Sequence, residues 1–107
     1  MSIELNHTIV RVRDRWVAAR DVGEVLGLPE ATAYGPFAEL KLDNAVSLDF
    51  MDTEGDIHGQ HYAFLVSEDE FTAIYDRIRE RGLQHWADPR GQHPGEINRN
   101  DGGRGVY

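Results

Sequence analysis

The sequence predicts a small α+β domain built twice from one unit of strand, helix and short strands. Three observations predict it. Two β-rich runs, residues 3–12 and 60–66, each lead into a stripe of helical spacing. Each stripe ends at a glycine, Gly27 in the first and Gly82 in the second. The units superpose at an offset of 54 residues: Asn6-His7 falls on Gln60-His61, Val12 on Val66, Asp14 on Glu68 and Ala19 on Ala73. The expected domain is 1–107, as repeats of about 3–52 and 59–107.

In the first repeat, residues 3–12 are dominated by β-branched side chains, and Arg13-Asp14 ends the run. Asp14 is a natural N-cap for a helix near 14–26, with apolar Ala18, Val22, Val25 and Leu26 on one stripe and Trp16 expected in the core. Pro29 prevents continuation beyond Gly27. Extended pieces follow at 32–34, 37–42 and 45–51, the last two joined by Asp43-Asn44, residues that tolerate left-handed backbone angles. Residues 52–59 are polar and linker-like.

The second repeat opens with the strand 60–66. Ser67 and Glu70 form a capping box for a helix near 68–81, striped by Phe71, Ile74, Tyr75 and Ile78. Residues 83–87 read as extended, 88–103 as a long mobile loop, and Gly105-Val106-Tyr107 as the opening of a further strand. A helix covers one face of a small curled sheet, so two such units leave a concave open face for a ligand.

Composition narrows the chemistry. The chain of 107 residues has a formal charge of −8 and no cysteine, with 40% hydrophobic and 28% charged residues. Such a balance belongs to a globular protein and excludes a disulfide scaffold, thiolate metal sites and thiol nucleophiles. The acidic excess argues against nucleic acid or an anionic membrane as partner. No apolar run is long enough to span a bilayer, and Glu4, Asn6 and His7 interrupt any secretory leader, so a cytoplasmic location is expected. The serines lack a nucleophile-elbow context, and Gly102-Gly103-Arg104-Gly105 is followed by no helical pattern.

What remains is histidine and carboxylate. His7 and His61 hold matched positions in the two repeats, so two neutral imidazoles come together as half of a site for Fe, Mn, Zn, Ni or Co. Such a site needs a carboxylate, and Glu4, Glu39 and Asp49 lie on expected strands, with Asp49 the best placed among apolar neighbours. His58 reads as loop, and His85 and His93 as solvent residues. Phe37, Tyr62 and Trp86 are candidates to line an apolar pocket.

Leu5-Asn6-His7-Thr8-Ile9-Val10, Gln60-His61-Tyr62-Ala63-Phe64, Val46-Ser47-Leu48-Asp49-Phe50 and Gly103-Arg104-Gly105-Val106-Tyr107, in this order, resemble the vicinal oxygen chelate superfamily. That superfamily includes glyoxalases, bleomycin- and fosfomycin-resistance proteins and extradiol dioxygenases. The resemblance implies two βαβββ modules forming a cup-shaped mixed sheet with helices outside, commonly as a homodimer. It implies one divalent ion on His7 and His61, completed by a glutamate on a last strand beyond Tyr107, some 10–20 residues further by mean strand and turn lengths. Ser47, or Asp49 in a shifted register, stands where some members carry a further glutamate. Tyr107 is then placed to donate a hydrogen bond to a developing oxyanion. The implied activity is a metal-dependent lyase, isomerase or dioxygenase acting on vicinal oxygens of a small molecule. The alternative is a metal-free cup that sequesters a drug or natural product, as bleomycin-resistance members do.

Overall fold

The computed structural model describes residues 2–107, and the chain divides after His61 into two compact units. In the first unit, β1 (His7–Val12), α1 (Arg15–Leu26), β2 (Thr32–Tyr34), β3 (Phe37–Lys41) and β4 (Ser47–Asp52) form one βαβββ module. The sheet order is β1-β4-β3-β2, with β1 parallel to β4 and the remaining pairs antiparallel. Asp14 caps α1 by accepting from the backbone N–H of Trp16 and Val17, and Gly27 ends it at φ 74°.

The helix buries Ala19 and Gly23, one position along from the expected stripe, while Ala18 and Val22 flank the core. Small side chains let the helix axis approach the sheet closely. The core of this unit is Ala19 of α1 with Ala38 and Leu40 of β3 and Leu48 and Phe50 of β4, the four strand residues sharing the sheet face toward α1. Trp16, expected in that core, is instead 42% exposed: it shares the helix face of Ala19 and Gly23 but lies in the first turn of α1, where it lines an open groove with Arg20 and Leu28.

Other expectations shift in detail. The first strand enters the ladder only from His7, because its partner β4 begins at Ser47; residues 3–6 lie before it. In the β3–β4 turn, Ala45 and not Asp43 or Asn44 takes the positive φ, at 65°. Closing Leu42 N–H onto the Val46 carbonyl at 2.8 Å sets the left-handed position one residue later.

The second unit carries α2 (Glu68–Glu80) and a short 3-10 turn, Asn100–Gly102. The capping box forms as expected: Ser67 Oγ accepts from the Glu70 N–H at 3.1 Å, and the Glu70 carboxylate accepts from the Ser67 N–H at 2.9 Å. The expected strand 60–66 is corrected. Within the second unit its residues are assigned to no strand, and among the described residues that unit contains isolated bridges, Trp86 with Pro94 and Asn98 with Gly105. Residues 88–103 are more structured than a free loop, since Asp88 accepts from the N–H groups of Gln92 and His93, and Asn98 and Gly105 exchange backbone hydrogen bonds. Tyr107 and Trp86 likewise exchange two bonds of 2.8 Å. Among the described residues no helix is long and apolar enough to cross a membrane.

Candidate active face of the first sheet

The face of the sheet turned away from α1 carries the chemistry of the first unit. Strand alternation and register set its rows. His7 lies beside Ser47 and Lys41; Ile9 beside Asp49 and Glu39; Arg11 beside Met51 and Phe37. Asp49 is only 4% exposed and accepts from Ser47 Oγ at 3.3 Å. Glu39, directly opposite it, is answered by Lys41 Nζ at 3.7 Å. Phe37 is half-buried at the far end of this face.

His7 is exposed on β1, at the end of the first unit's four-stranded sheet order. Its Nδ1 lies 2.7 Å from Asn6 Oδ1. An amide oxygen only accepts, so Nδ1 carries the hydrogen and the Nε2 lone pair is left for a ligand. Sequence reading passed over Asn6 as an orienting group, although its adjacency to His7 was the available signal.

Comparison with known proteins turns this geometry into a family. No family model and no curated protein matches the chain. Among solved structures, "Oxidase ChaP-H1" superposes with a TM-score of 0.97 at 57% identity, over 99% of this chain and 86% of that one. "Oxidase ChaP-H2" gives 0.97 at 55%, over 100% and 84%. Both have the vicinal oxygen chelate fold. The chain belongs to the vicinal oxygen chelate superfamily. A more distant member, a possible glyoxalase from Bacillus cereus, matches with a TM-score of 0.59 at 25% identity over 78% of this chain and 79% of that one.

Within this vicinal oxygen chelate protein, the donor set fits a divalent ion in part. His7 presents an oriented imidazole of the type such ions take. His61 offers a second, exposed just beyond the 52–59 linker. Among the described residues no three histidine or carboxylate side chains cluster as a complete ligand set.

The remaining candidates lie in the second unit. Tyr62 and Tyr107 are exposed, and Trp86 is half-buried with its indole against Gly91. Trp86 also lines a cavity of about 330 Å³ with Leu83, His85 and Pro94. His85 is held, not a free solvent residue: its Nε2 lies 3.2 Å from Tyr75 Oη and its Nδ1 3.0 Å from the Leu83 carbonyl. His93 lies exposed, 3.6 Å from Glu96. Beside α1, a groove of about 320 Å³ runs along Trp16, Arg20, Leu28 and Leu40, away from every sequence-derived candidate.

Proposed function

We propose that this protein is an oxidase acting on a small molecule with two neighbouring oxygens, through one divalent ion held by His7 and His61. The observation that carries the oxidase class is identity of 57% and 55% to two oxidases, spread over nearly the whole chain. The ion supplies Lewis acidity toward two adjacent oxygens. The chain's own residues do the rest. Asn6 fixes the tautomer and ring plane of His7, so that Nε2 faces outward.

On the same face Asp49, held by Ser47 Oγ, lies one row away, and Phe37 offers an apolar surface for the organic part of the substrate. Two neutral imidazoles and one carboxylate carry a charge of about −1, so a divalent ion leaves the site attractive to an anionic oxygen pair. The third ligand implied by the superfamily, a glutamate on a strand after Tyr107, and the parts assigned to Tyr62, Trp86 and Tyr107 rest on the resemblance.

The test is calorimetric titration of untagged protein with Fe²⁺, Mn²⁺ and Zn²⁺ under argon, followed by oxygen-uptake measurements on catechols and hydroxyquinones. Wild type binds one ion per chain, and His7→Ala or His61→Ala each weakens binding at least tenfold, while His93→Ala changes nothing. A wild type that binds none of the three ions, or alanine variants that bind as wild type does, sinks the reading.

A further inference from the structure

Within the second unit, Tyr75 of α2 and His85 form a pair whose chemistry the proposed ion site does not use. The Leu83 carbonyl lies 3.0 Å from His85 Nδ1, and a carbonyl only accepts, so Nδ1 carries the hydrogen. The lone pair is then on Nε2, which accepts from the Tyr75 hydroxyl at 3.2 Å. The two rings meet edge to face, with centroids 5.3 Å apart at 87°. Tyr34, Tyr62 and Tyr107 are exposed, whereas Tyr75 is half-buried and its phenol already faces a base.

A phenol that loses an electron becomes a strong acid, so tyrosine is oxidised readily only where a base takes its proton at the same moment. Arg79 sharpens that requirement. Its guanidinium sits over the Tyr75 ring, 4.9 Å from the centroid, and opposes a second positive charge there. Passing the proton to His85 removes that charge from the ring. The imidazolium so formed has an acceptor for each N–H: the Leu83 carbonyl on Nδ1 and the phenoxyl oxygen on Nε2. Asp76, 2.6 Å from Arg79 Nη2, offsets the added charge nearby.

We propose that Tyr75 and His85 are a redox-active pair that reduces peroxyl radicals by one electron and so keeps them from attacking the rest of the chain. The radical R–OO• takes one electron from Tyr75 and one proton from water, and becomes the hydroperoxide R–OOH, leaving hydroxide. The Tyr75 O–H bond breaks, its proton passes to His85 Nε2, and a neutral phenoxyl radical remains. A thiol or enediol reductant in solution then returns the electron, and His85 returns the proton. A cavity of about 330 Å³, lined by His85 with Leu83, Trp86 and Pro94, admits a small radical beside the pair. The guarding role rests on the oxidase reading above; the oxidation of Tyr75 rests on this geometry alone.

The test uses the full chain without added metal, oxidised by azidyl radicals from radiolysis and frozen for electron paramagnetic resonance. The lasting tyrosyl signal should belong to Tyr75. Tyr75→Phe should remove most of it, while Tyr34→Phe, Tyr62→Phe and Tyr107→Phe leave it unchanged. His85→Gln is the sharper variant. Glutamine still accepts from the phenol but takes no proton, so the signal should fall about tenfold with the circular dichroism of the fold intact. A lasting signal that survives Tyr75→Phe, or one that His85→Gln leaves at wild-type strength, overturns the pair. During dioxygen uptake, Tyr75→Phe should lose activity faster per turnover than wild type, and equal loss overturns the guarding role. A Tyr75 signal in a protein that takes up no dioxygen upholds the pair and removes the guarding role together with the oxidase reading.

Discussion

Gly23 sits in the middle of α1 with its Cα against Leu40, and a β-carbon added there would lie 3.1 Å from Leu40 Cδ1. Leu40 has no exposed surface and forms part of the core under β3 and β4, so it has little room to withdraw. Two effects oppose each other in Gly23→Ala. Alanine favours the helix by about 0.5–1 kcal/mol over glycine. Forcing a methyl group into a filled core costs about 1–3 kcal/mol. The contact wins, and Gly23→Ala alone should destabilise the first unit by about 1 kcal/mol. Leu40→Ala should cost about 3 kcal/mol through lost burial and the cavity it leaves.

In the Leu40→Ala background the obstacle to Gly23→Ala has gone. The new methyl enters vacated space, and the substitution should stabilise by about 1 kcal/mol. The coupling energy of the cycle is then about 2 kcal/mol, well above the few tenths expected of independent sites. Urea unfolding of the four proteins, followed by tryptophan fluorescence and far-ultraviolet circular dichroism, measures it. Effects of Gly23→Ala that agree within about 0.5 kcal/mol in the two backgrounds would refute the reasoning that α1 and β3 meet through this one contact.

Three further outcomes follow from named contacts. On the proposed ion site, Asn6→Ala should weaken binding by about 10–100-fold without changing stoichiometry, since it frees the His7 ring without removing a proposed ligand; calorimetry checks it. Ser67→Ala removes half of the capping box and should lower stability by about 1 kcal/mol in urea titration. The Ser67 backbone N–H, and then its hydroxyl, hold the Glu70 carboxyl below its ordinary value of 4.5. A depressed carboxylate stabilises above its unfolded value and loses that contribution as pH falls through the folded one, so α2 should loosen below about pH 4.5. Amide exchange at the start of α2 between pH 5 and 3 should show the change in wild type and lose it in Glu70→Gln, whose amide oxygen still accepts from Ser67.

Legibility in the sequence followed the range of the interaction. Both helices were readable to within a residue or two, because their caps and stripes are local: Asp14, Gly27, Ser67 and Glu70 each act within one turn of their own position. The first βαβββ module was readable because its hairpins are short and its strands alternate. The pairing of His7 with His61 came from the repeat, which carries position but no distance. Residues 60–66 have the composition of a strand, but a strand exists only where a second backbone takes its hydrogen bonds, and composition does not name that backbone.

By itself, the sequence determined what is carried by local propensity and residue chemistry. That includes the α+β class, both helix boundaries, the first module, the exclusion of thiol chemistry and the choice of histidine as the candidate ligand. The tertiary structure decided everything that depends on which backbone lies beside which. It placed β1 at the end of the first unit's sheet order, buried Asp49 beside Ser47 while leaving Trp16 exposed, and gave Ala19 and Gly23 the close contact with the sheet. A stripe on a helix is accurate to about one residue, or 100° of rotation, which is enough to name the helix and too coarse to name the residue that touches the sheet.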